Sequence, residues 1–488
     1  MTGTAERVAR AGVAVTGLGV VTPAGVGEPA FWAGLCAGRS VARRRPELAG
    51  MPVDFVCAIG DPSERGPEGE PERGWGGGDL GAAANGAPDG RADGTAYGTA
   101  SGTAYGTASG TAYGTANGTA RDPAPGAARD AAYSVLDVDA AVGGRSVWRM
   151  ARFVKLALIA ARQAVADARL DPMTWDGARV GVVLGVGVGG VSVLADNALK
   201  LQAHGPESVS PLLVPMMIPN AAAGEVAIAL KARGPSLAPV TACASGATAL
   251  VVARDLLLGG ECDVVVAGGA ESVLTPLVVT AFARMGALST RTDDPAGASR
   301  PFAADRDGFV IGEGAGMLVL EREADARARG RVPRALLAGA GASTDAHHPT
   351  APAPGGRIAQ VAVETALREA GWSAYDVEHV NAHGTSTPLN DAMEASLIER
   401  VFPHGPPVTA AKGVVGHTLA AAGAIEAVAT VLTLEHGLIP PIANLDAPAV
   451  EFDLDCVTKQ ARRQRVRSAV SHSFGFGGHN VALAFGRV

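Results

Sequence analysis

The sequence contains few charged and few aromatic residues for its length. Of its 488 residues, 18% are charged and 4% are aromatic, and the formal net charge is -7. A chain with this acidic balance lacks the general positive field that holds nucleic acid or an anionic membrane surface. Any acidic partner would therefore have to bind at a local basic patch.

The sequence also lacks paired cysteines and long apolar runs. Its five cysteines are odd in number, far apart and free of CxxC spacing, which argues against a disulfide framework and a zinc site; they are Cys36, Cys57, Cys243, Cys262 and Cys456. The N-terminus has no apolar signal-peptide core, and no stretch offers the roughly 20 apolar residues that span a membrane. We expect a protein of the reducing cytoplasm without a metal.

Segments typical of strands and helices alternate along most of the chain. A strand is predicted at 13–21, a long helix at 147–170, a strand at 235–243 followed by a helix, and a further strand at 262–270. A second series of the same kind begins at Arg331. Strands rich in valine and leucine that alternate with helices predict an α/β fold with a parallel or mixed sheet. We predict two halves, residues 11–330 and 331–488.

The composition changes between residues 61 and 144, in the N-terminal half. Glycine, alanine, proline and charged residues dominate there, and residues 94–120 repeat GTAY- and GTAS-like units with a period of four. Such a segment lacks the bulky apolar side chains that offset the entropy cost of ordering. We predict a disordered insertion, either a neutral expansion of a surface loop or a tether for a partner.

Cys243 stands out among the cysteines because of its local sequence. In PVTACASGATALVVARDLL, a predicted strand ends at Cys243 and a helix begins just after it. The free N–H groups and the dipole of a helix N-terminus favour thiolate over thiol. We therefore expect a reactive cysteine, although a buried, inert cysteine is the alternative for this context alone.

Two histidines lie in similar settings of small residues. His383 follows a short predicted strand in VNAHGTSTPLND, and His417 precedes a helix in KGVVGHTLAAAG. Each position suits a catalytic side chain at the end of an element. Taken singly, either one fits a hydrogen-bonded structural histidine equally well.

Together these segments resemble the β-ketoacyl synthase family of thiolase-fold condensing enzymes, in particular its elongating type II branch. The similarity covers 12–25, 219–236, 241–250, 264–272, 287–321, 381–395, 410–428 and 473–483, in the order that the family has them. Only the insertion at 61–144 falls outside the resemblance. It implies a thiolase-like fold in which two similar α/β halves form a layered αβαβα arrangement.

The resemblance implies a mechanism and assigns its residues. Cys243 corresponds to the nucleophile that receives an acyl group from a carrier-protein thioester, and His383, His417 and Lys412 correspond to its catalytic partners. Malonyl-carrier protein then loses carbon dioxide, and its enolate attacks the acyl group. The backbone N–H groups of Cys243 and Phe476 would form the oxyanion hole, and the ring of Phe476 would gate access to the sulfur.

Further residues correspond to substrate-binding and supporting positions of the family. The substrate-binding set is Thr385, Thr387, Val188 and Phe474, and the supporting set is Glu426 and Asn381. Family members can hold a cation beside the supporting pair, but His472 replaces the usual asparagine here, so we predict no metal. His479 likewise replaces the usual threonine.

The partner implied by the resemblance is an acyl carrier protein, which presents substrates on 4'-phosphopantetheine; no permanently bound cofactor is expected. Because carrier proteins are acidic, a local basic patch should dock them, and the candidates are Arg149, Arg152, Lys155 and Arg284. The chain would work as a homodimer or as the catalytic half of a heterodimer with a ketosynthase-like chain-length factor. A non-catalytic, length-setting subunit is the third alternative, which the presence of Cys243 disfavours.

Overall fold

The computed structural model describes residues 12–61 and 133–488. Most of the predicted insertion at 61–144 therefore lies outside the described residues. Its described end contains the short helix α2, Val138–Val142, which precedes the long helix predicted at 147–170. In the structure that helix, α3, is shorter and spans Arg152–Asp167.

Eleven strands form one mixed sheet, to which each half of the chain contributes five consecutive positions. The strands of the first half are β1 Val13–Thr22, β2 Gly25–Val26, β5 Val180–Gly185, β6 Ser236–Leu237, β7 Val264–Glu271 and β8 Gly314–Arg322. Those of the second half are β9 Ala335–Thr344, β10 His379–Asn381, β11 Val408–Thr409, β14 Ser468–Gly475 and β15 His479–Gly486. Along the sheet the order is β11-β10-β14-β15-β9-β1-β8-β7-β5-β6, and β2 pairs with β1.

The two halves have the same topology. In the first, β6, β5 and β7 run parallel and β8 and β1 follow antiparallel. In the second, β11, β10 and β14 run parallel and β15 and β9 follow antiparallel. The halves meet where β1 pairs with β9. This repetition confirms the predicted α/β fold of two similar halves, and the boundary predicted after residue 330 falls just before β9.

Helices lie in three layers, each with its own hydrophobic core. The remaining helices are α1 Glu28–Ala37, α4 Val191–His204, α5 Leu213–Met217, α6 Ala221–Leu230, α7 Ser245–Leu258, α8 Pro276–Arg284, α9 Glu323–Ala328, α10 Arg357–Ala370, α11 Pro388–Val401, α12 Lys412–Val415 and α13 Ala422–His436. One outer core contains α3 and α6, the opposite outer core contains α10 and α11, and the central core contains α7 and α13. The central helices contact strands of both halves, so each half of the continuous sheet forms one β layer and the arrangement is αβαβα. Two small hairpins, β3 Arg43–Arg44 with β4 Phe55–Val56 and β12 Leu438–Ile439 with β13 Arg462–Arg463, lie outside the main sheet.

The two central helices cross at very short range because both carry glycine at the contact. A Cβ atom at Gly246 would lie 2.8 Å from the carbonyl oxygen of Ala420, and one at Gly423 would lie 2.8 Å from the Cβ of Ala247. Within the described part of the chain, one stretch, Leu419–His436, is long and apolar enough to cross a membrane, but 89% of it is buried inside the protein. We interpret it as the central core helix. Its position brings the N-terminal end of α7 close to the N-terminal end of α13.

Candidate active site

Cys243 lies in a tight turn directly before α7. The strand predicted at 235–243 is wrong in length, because β6 ends at Leu237 and Cys243 belongs to a 3-10 turn, Ala242–Ala244. Ser245 holds this turn: its hydroxyl accepts from the N–H of Thr241 at 2.9 Å and donates to the carbonyl of Ala242 at 2.7 Å. Ala242 has a φ of 48°, a left-handed conformation that costs energy for a residue with a Cβ and is common at active sites.

The thiol of Cys243 is protonated in the resting site. Burial raises the pKa of Cys243 to about 11, since a charged sulfur loses its hydration inside the protein. Lys412 and the backbone N–H groups of Phe476 and Cys243 act in the opposite direction, and Glu271 adds to the rise. The expected helix N-terminus is present, but the expected lowering of the pKa is wrong because burial outweighs it.

His383 is fixed by Lys412 from the side away from the cavity. The buried Lys412 side chain donates to three acceptors: the His383 carbonyl at 2.6 Å, His383 Nδ1 at 3.1 Å, and Glu426 Oε1. An ammonium group has three hydrogens and accepts none, so Nδ1 of His383 must be an acceptor. The proton of the neutral ring therefore resides on Nε2.

His417 has the same tautomer for a different reason. Its Nδ1 accepts from the backbone N–H of Leu419 at 3.3 Å, which again leaves the proton on Nε2. The two rings lie edge to face with centroids 5.4 Å apart. Burial, together with the charge of Lys412, holds the pKa of both His383 and His417 well below the usual value. Both rings are therefore neutral N–H donors at physiological pH.

Glu426, on α13, completes this buried group. It pairs with Lys412, and both side chains are almost fully buried. Burial raises the pKa of Glu426 to about 7, although Lys412 acts to lower it. Its second oxygen has no hydrogen-bond partner among the described residues. Lys412 thus connects Glu426 to His383.

One cavity of about 530 Å³ contains most of the predicted site. Its walls include the predicted nucleophile, both histidines and the gating and substrate-binding residues, namely Cys243, His383, His417, Phe476, Thr385, Thr387, Val188 and Phe474. Residues as far apart in the sequence as Val188 and Phe476 thereby surround a single space. Lys412, Glu426 and Asn381 are not among the lining residues and lie behind the wall.

Phe476 occupies the turn between β14 and β15, next to Cys243. Gly477 and Gly478 follow it with φ of 85° and 76°, conformations that favour glycine. Its ring lies 6.5 Å from that of Phe282 on α8. The N–H of Gly477 donates to the carbonyl of Pro349 at 2.7 Å, which ties the turn to the loop after β9.

The threonines predicted at the substrate entry also shape the start of α11. The hydroxyls of Thr385 and Thr387 lie 2.8 Å apart, and Thr387 is the N-cap of α11, where its hydroxyl accepts from Asn390. Asp391 accepts from the N–H of Thr385 at 3.0 Å. These contacts hold both hydroxyls at the cavity wall.

Glu394, which was not predicted from the sequence, holds the backbone of His383. Its two carboxyl oxygens accept from the N–H groups of His383 and Gly384, each at 2.8 Å. His472, whose role was left open, lies with its Nδ1 3.1 Å from Glu394 Oε1, and both side chains are fully buried. The spacing of Asp391 and Glu394, three residues apart on α11, could have indicated two carboxyls on the same helix face.

Asn381 supports the structure behind the cavity. Its amide nitrogen, with two hydrogens, lies within hydrogen-bond distance of three acceptors: the Glu426 carbonyl, the Thr430 hydroxyl and the Ser471 hydroxyl, at 3.0, 3.1 and 3.3 Å. It therefore connects β10 to α13 and β14. Its amide oxygen has no partner among the residues described.

The four basic docking candidates differ in their surroundings. Arg152 binds Glu313 at 2.7 Å and Lys155 binds Asp139 at 2.6 Å, so carboxylates of the same chain offset both charges. Arg149 has a more distant contact, 3.7 Å from Glu225. Arg284 is exposed at the end of α8, beside Met285 of the cavity wall. Arg149 and Arg284 thus remain the better candidates.

One group in the described residues has the spacing of a metal site. It consists of Glu28, Glu435 and His436. Both carboxylates bind Arg334, at 2.5 and 2.6 Å. We assign this group to an ion-pair network.

Comparison with known protein families gives a match over most of the chain. The β-ketoacyl synthase N-terminal domain matches residues 108–326, and the C-terminal domain of the same family matches residues 334–446. The 3-oxoacyl-[acyl-carrier-protein] synthase 2 of Synechocystis sp. is 45% identical over 340 residues, which cover 69% of this chain and 82% of that protein. The enzyme of the same name from Staphylococcus aureus is 42% identical over 340 residues, with coverage of 69% and 84%.

The solved structures that resemble this chain include ketosynthases. The ishigamide ketosynthase/chain length factor superposes with a TM-score of 0.77 at 28% identity, covering 98% of this chain and 100% of that one. A type II polyketide ketosynthase, solved with its acyl-carrier protein and bound to the hexaketide, gives 0.77 at 27% identity, with coverage of 98% and 99%. A β-ketoacyl synthase from Burkholderia phymatum gives 0.77 at 28% identity, covering 98% and 100%.

Proposed function

The chain belongs to the β-ketoacyl synthase family, and on this premise we propose that it condenses malonyl-carrier protein with an acyl group held on Cys243. The observation that supports this assignment best is the pair of neutral imidazoles in the cavity. Both have Nδ1 occupied as an acceptor, so both can donate from Nε2 to one developing negative charge. A hydrolase with a Cys–His pair has no need of this arrangement.

In the first half-reaction the acyl group moves to the sulfur. Cys243 attacks the carbonyl carbon of the acyl thioester, and the N–H groups of Cys243 and Phe476 stabilise the oxyanion of the tetrahedral intermediate. The carbon–sulfur bond to the pantetheine arm breaks. Because the Cys243 thiol is protonated at rest, its proton leaves during transfer and the departing pantetheine thiolate takes up one proton.

In the second half-reaction the malonyl group loses carbon dioxide. The electrons of the broken carbon–carbon bond form an enolate, whose oxygen accepts from Nε2 of His383 and His417. The enolate carbon attacks the acyl carbonyl, and collapse of the second tetrahedral intermediate releases the Cys243 thiolate. With a pKa of about 11 for Cys243, this thiolate takes up a proton from solvent and the site returns to its resting state.

We propose that Lys412 and Glu426 maintain the tautomer of His383. The three hydrogen bonds of Lys412 fill its donor capacity, so the ammonium group cannot reorient without losing one of them. Glu426 keeps this group buried by supplying the opposite charge. The pair therefore acts through His383 and does not touch the substrate.

Substrates arrive as 4'-phosphopantetheine thioesters on an acyl carrier protein, in fatty-acid or type II polyketide elongation. We place docking near Arg149 and Arg284, because an acidic carrier requires local positive charge. Five free thiols suit a cytoplasmic location.

A partner subunit fits the apolar face beside β6, the last strand of the sheet. Large side chains on and near β6 and on α4, α5 and α6 are exposed, with fractions of 42–68% for Leu237, Val240, Leu199, Val214 and Ile228. Exposed apolar surface next to an unpaired strand edge is typical of an interface. We propose a second copy of the chain or a ketosynthase-like chain-length factor here. Expression with and without such a partner, followed by light-scattering mass measurement, distinguishes the two, and a monomer in both cases would contradict the interface.

Mass spectrometry of the intact protein tests the central proposal. Acyl-carrier protein should add one acyl mass to the wild type, and malonyl-carrier protein should then remove it and give β-ketoacyl-carrier protein. We expect no acyl adduct for Cys243→Ala, a stable adduct without condensation for His417→Ala, and normal turnover for the control Cys262→Ala. Product formation without an adduct on Cys243 would contradict the mechanism.

The same experiment tests the alternative of a non-catalytic, length-setting subunit. Such a subunit would bind carrier protein without becoming acylated. The intact Cys243, His383 and His417 around one cavity disfavour it.

A further inference from the structure

Glu271 binds three consecutive backbone N–H groups of the loop that follows β5. The N–H groups of Gly187 and Val188 donate to its Oε2 at 2.8 and 3.0 Å, and that of Gly189 donates to its Oε1 at 3.2 Å. Glu271 is the last residue of β7, which pairs in parallel with β5 as far as Gly185 and Gly269. The carboxyl thus fixes the loop at the point where the sheet ends.

This glutamate has no cationic partner in the part of the chain that the structure describes. Its side chain is fully buried, and the donors that it meets there are backbone groups. Burial raises the pKa of Glu271 to about 7, while the three N–H groups act to lower it. A buried carboxylate whose hydrogen bonds all come from one loop keeps those bonds only while that loop stays in position.

The loop can approach the carboxyl because residue 187 is glycine. A Cβ atom at Gly187 would lie 2.8 Å from Glu271 Oε2 and 3.4 Å from the Cβ of Ala420. Gly187, Val188 and Glu271 all line the cavity that contains Cys243. The contact between Glu271 and the loop is therefore itself part of the cavity wall.

We propose that Glu271 is a positioning residue that fixes residues 187–189, and with them Val188, as the wall that decides which acyl chains Cys243 accepts. This inference rests on the proposed condensing function and extends it to substrate choice. Glu271 and Cys243 line the same cavity, and the charge of Glu271 opposes ionisation of the Cys243 thiol. It thereby disfavours free thiolate when no acyl thioester is present.

Two substitutions separate the loop contact from the charge. Glu271→Gln keeps the shape of the side chain but loses its charge. The NH2 group of glutamine is a donor, so it cannot accept a hydrogen bond from the backbone N–H group that it faces, and at least one of the three hydrogen bonds is lost. Glu271→Asp keeps the charge but is one methylene shorter, so it reaches the loop less well. Glu321→Gln is the matched control, because Glu321 is a buried glutamate of the same sheet that pairs with Arg329 far from the cavity.

The first measurement is acylation of Cys243 by carrier proteins bearing short, medium or long saturated chains. For both Glu271 variants we expect the ratio of kcat/KM between chain lengths to change about tenfold, the size of effect that one methylene has in an apolar pocket. The control should keep the wild-type ratio even if its stability is lower. Wild-type ratios in both Glu271 variants would overturn the proposal.

The second measurement is alkylation of Cys243 by iodoacetamide as a function of pH. Glu271→Gln should react about threefold faster than wild type at pH 8, because removal of a nearby negative charge favours thiolate. Glu271→Asp and the Glu321→Gln control should follow the wild-type profile. An unchanged profile in Glu271→Gln would refute the electrostatic effect, whereas a wild type that is never acylated on Cys243 would refute the proposed function itself.

Discussion

Removal of the Lys412 ammonium should destabilise the protein through the charge that it leaves behind. In Lys412→Met, Glu426 keeps its buried position but loses the one cation that pairs with it among residues 12–61 and 133–488, and the His383 carbonyl loses a donor at 2.6 Å. Breaking one partner of a buried ion pair costs about 3–5 kcal/mol. Burial already raises the pKa of Glu426 to about 7, so the carboxyl takes up a proton when Lys412 is absent. We therefore expect a loss near the lower limit, about 3 kcal/mol in the free energy of unfolding at pH 7.

The double variant Lys412→Met/Glu426→Gln separates stability from catalysis. With both charges replaced by neutral side chains of similar size, the free energy of unfolding should return to within about 1 kcal/mol of the wild type. Condensation should stay about a hundredfold slower in both variants, because nothing then fixes the Nε2–H tautomer of His383.

Urea unfolding and single-turnover condensation of pre-acylated enzyme measure the two effects. Lys155→Met is the control: it removes a lysine paired with the largely exposed Asp139, and should cost less than about 1 kcal/mol with normal condensation. A double variant as unstable as Lys412→Met would refute the burial argument. Recovery of condensation together with stability would refute the role assigned to the tautomer.

Other predictions concern the cavity wall, docking and His472. The pKa of Glu271 in the folded protein is raised from 4.5 to about 7, so its protonated form stabilises the fold at low pH and this stabilisation is lost as the pH rises through about 7. Relative to Glu271→Gln, the free energy of unfolding of the wild type in urea should therefore fall by about 2 kcal/mol between pH 5 and 8. A difference between the two proteins that stays constant with pH would contradict the raised pKa. Val188→Phe should shorten the longest acyl chain that Cys243 accepts, which mass spectrometry of adducts detects; an unchanged limit would remove Val188 from the wall. Charge reversal at Arg149 and Arg284 should raise the KM for carrier protein and leave alkylation of Cys243 unchanged, and an unaltered KM would exclude docking there. His472→Phe should lower the free energy of unfolding by about 1.5–3 kcal/mol through loss of the bond to Glu394, and an unchanged urea midpoint would show that this contact contributes nothing.

The sequence was sufficient for the fold class and for the identity of the chemical groups. The alternation of apolar strands and helices predicts two α/β halves, because burial of strands on both faces leaves a pattern that local sequence records. The nucleophile and both histidines stand in long motifs, so Cys243, His383 and His417 could be named without coordinates. The length of β6 could not be predicted in this way: β6 ends at Leu237, and Ser245 holds Thr241 and Ala242 in the turn before α7.

The tertiary structure decided how those groups behave. Local sequence places Cys243 at a helix N-terminus, which favours thiolate, but the walls that bury it come from both halves and raise the pKa of its thiol to about 11. The tautomers of His383 and His417 likewise depend on donors that the fold brings to Nδ1, and the binding of Arg152 to Glu313 depends on residues 161 positions apart. The solvation and hydrogen bonding of a side chain depend on all the groups that surround it in space. Many of these groups are distant in the sequence, so local sequence does not reveal their effect.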